Sequence, residues 1–355
     1  MSNLYLDLNV LQTVPSSNIN RDDTGSPKTA LYGGVTRARV SSQSWKRAIR
    51  QAFNAENPNT GIRTTTAPKL LADRLEALDS TLGADAAVKK AADIFNAAGI
   101  SLNKDNETKA LLLVSEGQLK KLAQYATDHE DLDKKELKKV LKGDQSLDLA
   151  LFGRMVADNP ELNVEAASQV AHAISTHEIV PEFDYFTALD DKQSQDTSGA
   201  AMLGTIEFDS STLYRYANIN MNELRDNIGT KAAIQGAAAF IKAFVLSMPT
   251  GKQNTFANKT LPNYVMVTVR RDTPVNLVSA FEEPVTSKNG YVAESVKRIE
   301  AEYQSTLQFV EAPTTNLVLS KYPSQAGEKV SDLSELVDKI TEALSEAVSN
   351  ENDHD

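Results

Sequence analysis

The chain has no cysteine, a single tryptophan and four histidines among 355 residues. Without cysteine there is no disulfide, no thiolate zinc site and no cysteine nucleophile, a usage that fits a cytoplasmic protein. No run of 18 or more apolar residues occurs and no charged-then-apolar leader opens the chain, so neither a membrane span nor a secretory signal is expected. The phosphate-cradling pattern G-x-x-x-x-G-K-[ST] and the nucleophile elbow G-x-S-x-G are both missing, and Gly33-Gly34 is too short for a cofactor loop. His172 and His177 are five apart, on opposite faces of a strand or about 140° apart on a helix, so they make poor co-ligands and read as structural. No cofactor and no metal are expected.

What is present is ordinary for a globular protein: 41% hydrophobic and 24% charged residues, in a length that allows one large domain or two to three smaller ones. The net charge of −11 argues at first against nucleic acid, yet it is unevenly spread. Residues 328–355 hold nine acidic residues against Lys329 and Lys339, which accounts for most of the excess. From Asn18 to Phe53 the sign reverses: Arg21, Lys28, Arg37, Arg39, Lys46, Arg47 and Arg50 face only Asp22 and Asp23, a balance of +5.

The alternation of Leu4, Leu6, Leu8 and Val10 with Tyr5, Asp7 and Asn9 predicts a strand buried on one face. Residues 11–39, with Pro15, Gly25, Pro27 and Gly33-Gly34, read as a long loop of functional length. In Val40–Phe53 the serines are natural N-caps, and Trp45, Ala48, Ile49 and Ala52 recur at the spacing of one buried helix stripe. Lys46 and Arg50 line a different row near a helix N-terminus, whose unpaired amides favour an anion; the alternative is a solvated outer face.

Residues 57–156 predict an all-helical insertion. Within it Lys134, Lys138 and Lys142 form an i, i+4, i+8 row with Lys135 and Lys139 beside it, either a solubilising face or a surface attracting a phosphate backbone. Residues 164–181 and 205–220 predict two strands with a protruding hairpin between them. Phe183, Tyr185, Phe186, Met202 and Leu203 form its stem, read as a small local core or as a wedge between bases. An apolar helix at Gln235–Met248, a fully buried strand at Tyr264–Val269, and helices at Ala293–Phe309 and Val330–Val348 complete the chain. The order strand, helix, strand, strand, helix, strand gives an α+β class, a ferredoxin-like or RNA-recognition-motif palm. The expected division is a discontinuous palm of residues 1–56 and 157–320, fingers 57–156, a thumb 182–204 within the palm, and a C-terminal helix with acidic tail, 321–355.

Four blocks carry a family resemblance. Asn20-Arg21-Asp22-Asp23, Gly33-Gly34 and Arg37-Ala38-Arg39-Val40-Ser41-Ser42-Gln43-Ser44 with Lys46-Arg47 make up the first. Ala171-His172-Ala173-Ile174-Ser175-Thr176-His177 is the second. The third is Phe186-Thr187-Ala188-Leu189-Asp190-Asp191, running on to Leu203-Gly204-Thr205 and Phe208, and the fourth is Tyr214-Arg215-Tyr216-Ala217-Asn218-Ile219-Asn220. Together they resemble the CasC family, the repeated guide-RNA backbone subunit of the type I-E CRISPR Cascade complex. The resemblance is dense over most of residues 1–222 and loose over residues 57–150 and the C-terminal third. It implies a non-catalytic protein whose partners are CRISPR guide RNA, target DNA, further copies of itself and other Cascade subunits.

Carried over position by position, the resemblance implies that Arg21, Ser41, Gln43, Lys46 and Arg50 hold phosphates. Arg154 and Met155 would then sit near a displaced nucleotide, Phe186 and Thr187 would wedge there, and the lysine stripe would face target DNA. Arg37 and Arg39 of the same basic segment join the RNA-binding set. Two rival readings stand beside this one. Asp22-Asp23 and Asp190-Asp191 are paired loop carboxylates of the kind that hold magnesium in an RNA endonuclease, although loop aspartates also form turns or pair with arginine. The other rival is a scaffold that binds protein only.

Overall fold

The computed structural model describes residues 3–56, 60–188 and 202–352. In chain order the first elements are β1 (Tyr5–Ser17), β2 (Thr29–Tyr32), β3 (Val35–Val40), α1 (Ser42–Glu56), β4 (Ile62–Thr64), α2 (Ala67–Leu78) and α3 (Ala84–Ala97). There follow β5 (Leu112–Val114), α4 (Glu116–Asp128), α5 (Lys134–Lys142), α6 (Leu147–Phe152), β6 (Ser168–Val170), β7 (Ala173–Ser175), β8 (Glu182–Ala188) and β9 (Met202–Asn220). The last are α7 (Met221–Ile228), α8 (Thr230–Leu246), α9 (Gln253–Phe256), β10 (Tyr264–Arg270), α10 (Val292–Thr306), β11 (Thr315–Ser320), β12 (Glu328–Lys329) and α11 (Leu333–Asn352). No described helix is long and apolar enough to cross a membrane.

The chain forms two compact units. The first comprises residues 1–49, 170–218 and 240–355; the second, 50–169 and 219–239. The first is built on a sheet of order β12-β11-β10-β1-β9-β7-β3-β2. Its central order β10-β1-β9-β7 places the fourth, first, third and second strands of the expected split βαβ pattern side by side, the ferredoxin-like arrangement. β10 lies between β1 and β11, antiparallel to both, and all seven of its residues are buried, as an unbroken apolar run requires of a central strand.

Three expectations for this unit are corrected. β1 runs on to Ser17 and is buried on both faces, because its polar side chains are satisfied inside: Asp7 by Tyr216, Asn9 by Tyr214 and Gln12 by Thr260. Part of the expected loop is a hairpin, β2 against β3, turned by Gly33 (φ +60°) and Gly34 (φ +80°). Two consecutive left-handed residues give the primed turn that matches strand twist. A Cβ on Gly33 would also fall 1.6 Å from the Glu282 carbonyl oxygen, so only glycine fits. The strand expected over residues 164–181 is divided into the short β6 and β7.

Asp7 has a measurable consequence. Its carboxyl accepts from the Tyr216 hydroxyl at 2.8 Å and the Val275 N–H at 3.0 Å, and burial pushes its pKa up to about 7 against these bonds and Arg270. The folded chain therefore holds a proton that the unfolded chain has released, so this contribution to stability is complete below about pH 4 and lost as pH rises through about 7. In urea titrations, the wild type is expected to lose stability from pH 5 to pH 8 by an amount on the order of 2 kcal/mol that Asp7→Asn does not lose. Equal slopes for the two proteins would refute this.

The second unit buries its own core. Leu71, Leu75, Ile94, Phe95, Leu119, Leu122, Leu137 and Leu141 meet between α2, α3, α4 and α5. Expected as wholly helical, it also contains the antiparallel pair β4 and β5.

Candidate nucleic-acid interface

The loop between β1 and β2 is held by its own side chains. Asn18 Nδ2 donates to the carbonyls of Gly25 and Glu207, each at 2.9 Å, clipping the loop to β9. Asn20 Oδ1 accepts the Ser41 N–H at 2.8 Å, and its carbonyl accepts the Lys28 N–H, so one residue ties the loop to the start of α1. Asp22 Oδ1 accepts from the Thr24 hydroxyl at 2.7 Å and from the Thr24 and Ser26 amides at 2.9 and 3.0 Å. The Thr24 hydroxyl bond, more than the amides, draws the carboxyl below the usual range. Asp22 is thus a turn former, and Arg21 stands exposed beside it on a fixed loop.

α1 begins as its sequence dictates. The Ser41 hydroxyl receives the Ser44 N–H, and Trp45, Ala48, Ile49 and Phe53 are buried. Gln43 and Arg47 are exposed; Lys46 is half-buried, and desolvation lowers its pKa. Trp45 is anchored by a residue absent from the expected set. The Arg215 guanidinium lies 3.8 Å from the Trp45 ring centroid and 4.5 Å from that of Phe244, and Nη1 donates to Gln12 Oε1 at 2.5 Å. Burial pushes Arg215 down to about 9. Nothing in the local pattern of Tyr214–Asn220 marks it, because its partners lie on β1, α1 and α8.

Three arginines of the expected RNA-binding set are committed to the fold instead. Arg37 is fully buried; Nε donates to Tyr32 O, Nη1 to Ser175 O, and Nη2 to the carbonyls of Phe281 and Glu282. Arg50 donates through Nε to the fully buried Asp148 at 2.8 Å and through Nη2 to Gly61 O. Asp148 also accepts Gly61 N–H and the Ser146 hydroxyl, so it is a fixed structural anion. Arg154 is 6% exposed and donates to the carbonyls of Leu162, Leu141 and Leu113 and to Gln118 Oε1. Burial lowers its pKa to about 10. Arg37 and Arg154, occupied in this way, have little left for a phosphate, whereas the Arg50 side chain is still 20% exposed. Arg39 differs: it is partly exposed, Nε donates to Thr29 O at 2.9 Å, and Nη1 reaches His172 Nδ1 at 3.2 Å.

β8 and the start of β9 form a ribbon pairing Glu182 with Phe208 and Ala188 with Met202. Among the described residues the stem does not close into the local core that was one of its two expected readings. Phe183 is 68% exposed, Leu203 60%, and Tyr185 and Phe186 are also exposed. Among the described residues no second layer covers this ribbon. Phe186 lies opposite Gly204, where a Cβ would come within 2.3 Å of its ring, so the missing side chain lets the ring lie across the neighbouring strand. Thr187 is exposed next to it. An apolar strip of this kind marks a contact surface.

In the second unit Met155 is 80% exposed beside the buried Arg154. On α5, Lys134, Lys135, Lys139 and Lys142 are exposed, whereas Lys138 is largely covered and paired with Glu161. Among the described residues no group of three or more His, Cys, Asp or Glu is placed to hold a metal. Asp190 and Asp191 lie outside the described residues.

The family model described as CT1975-like protein matches residues 6–346. One solved chain, from an assembly described as a CRISPR RNA-guided surveillance complex, pre-nicking, shares 32% identity at a TM-score of 0.87, with 96% of this chain and 100% of that one covered. A second, from a CRISPR RNA-guided surveillance complex, shares 27% identity at a TM-score of 0.74, with 96% and 99% covered. No curated protein sequence matches the chain.

Proposed function

Because the chain belongs to the CT1975-like protein family, we propose that it binds the backbone of a CRISPR guide RNA without reading its sequence, as a repeated, non-catalytic, cytoplasmic subunit of a surveillance complex of the type I-E CasC kind. The observation that carries this reading is the gathering of Arg21, Arg39, Gln43 and Lys46 around the buried Ser41 at the start of α1, on a chain whose net charge is −11. Guide sequences differ, so a subunit repeated along one guide must hold phosphate and sugar and leave base edges free to pair with target DNA. In this reading the first unit carries the palm and the exposed ribbon the thumb, with the helical unit as fingers. Phe186, Thr187 and Met155 contact a displaced nucleotide. Further copies of the chain and other complex subunits are its protein partners.

The purified chain is expected to bind two RNA oligonucleotides of unrelated sequence with equal affinity and with affinity falling as salt rises. Binding that depends on one sequence, or no binding, would overturn the reading. Neutralising Lys134, Lys135, Lys139 and Lys142 together should leave guide loading intact and slow target-DNA association, measured as an on-rate at low salt. A fall in guide occupancy would instead move this stripe to the RNA side.

A further inference from the structure

We infer that Lys28, Arg39 and His172 form an additional phosphate subsite beside the start of α1, in which two cations take the charge and His172 contributes an uncharged N–H. This subsite rests on the backbone-gripping reading above and extends it from Arg39 to Lys28 and His172, which lie outside that set. The β2–β3 ladder pairs Thr29 with Ala38, and the Arg39 N–H donates to Lys28 O at 2.8 Å, so Lys28 and Arg39 occupy the next rung. Like charges directly opposed on a ribbon are unfavourable unless something neutralises them.

Among the described residues no carboxylate comes within ion-pair distance of either cation. Asp209 lines a small cavity with both. Burial first, and then Glu207, push its carboxyl up to about 6, and neither cation lowers it. Among the described residues the opposed pair therefore has no carboxylate counter-ion.

His172 completes the cluster. β3 pairs with β7, Arg39 with Ile174 and Val40 with Ala173, which carries the preceding His172 next to Ser41 and the helix start. A guanidinium only donates, so the 3.2 Å contact from Arg39 Nη1 requires His172 Nδ1 to accept and assigns the ring proton to Nε2. Desolvation, together with Arg39 and Lys28, holds the pKa of this exposed ring below its usual value and keeps it neutral. Two cations with no carboxylate partner among the described residues and one ring N–H on an exposed histidine, beside a helix N-terminus, suit an oxyanion with several acceptor oxygens, such as a backbone phosphodiester.

The test is salt titration of binding to oligouridylate RNA at pH 8, using the full chain. Lys28→Ala is expected to weaken binding about tenfold and to make the log–log salt slope shallower by about 0.7. His172→Ala is expected to weaken binding about fivefold with the slope unchanged, because a neutral donor displaces no counterion, and His172→Gln restores part of the loss. A shallower slope for His172→Ala would overturn the neutral-donor assignment. If the wild type binds and both alanine variants match it, the subsite is wrong while the backbone reading stands. If the wild type fails to bind unrelated RNAs equally, the backbone reading falls and takes the subsite with it. Unfolding midpoints are compared in parallel; should His172→Ala unfold, Lys28→Ala decides.

Discussion

Arg21→Ala combined with Lys46→Ala should weaken RNA binding roughly a hundredfold, to the same extent for oligonucleotides of unrelated sequence, and should flatten the salt dependence by about 1.4 in slope. The magnitude follows from losing two charge-assisted contacts, each worth about tenfold or more. Arg21 is exposed on a loop fixed by Asp22 and Asn20, so its removal leaves that loop's own hydrogen bonds intact. Lys46 pays a desolvation cost in the free protein, which a bound phosphate would offset. Filter binding or fluorescence anisotropy at several salt concentrations decides the matter. A loss confined to one RNA sequence, or an unchanged slope, would contradict a grip on the backbone.

Arg154→Ala should destabilise the chain by about 3 kcal/mol or more while leaving any RNA contact made by the first unit in place. The substitution removes the donors for the carbonyls of Leu162, Leu141 and Leu113 in the core of the helical unit and leaves a cavity in their place. Arg154→Lys is not expected to rescue it, since one ammonium cannot reach carbonyls arranged around a planar fork. Chemical denaturation measures the cost directly. An unfolding midpoint equal to wild type would mean that the guanidinium is dispensable to the core and would return Arg154 to the list of nucleotide contacts.

These two results separate the arginines by what surrounds them, which residue type and spacing could not do. The positive balance of residues 18–53 gave every cation there equal weight. Arg37 alternates inward on β3, and Arg50 meets Asp148 98 positions later. By contrast, the stripe Trp45, Ala48, Ile49 and Ala52 gives the buried face of α1 through Ile49, with Ala52 half-buried and Phe53 buried beyond it, and the apolar run Tyr264–Val269 gives the central strand. Periodicity works where burial is decided by the element's own repeat. It failed for β1, whose polar alternation suggested a wet face, because Tyr214 and Tyr216 on β9 supply the missing hydrogen bonds. The two glycines at residues 33 and 34 are legible in the sequence as turn chemistry. Taken as a two-residue hairpin turn, they would have set Lys28 opposite Arg39.

By itself the sequence determined the α+β order of elements, the helix that opens after Ser41, and a basic segment in an acidic chain, all properties of near neighbours along the backbone. Which guanidinium groups remain available outside, and which bind carbonyls or a carboxylate within, was decided only by the tertiary structure. The reason is distance along the chain: Ser175 lies 138 positions from Arg37, and contacts of that span are fixed by packing rather than by local pattern.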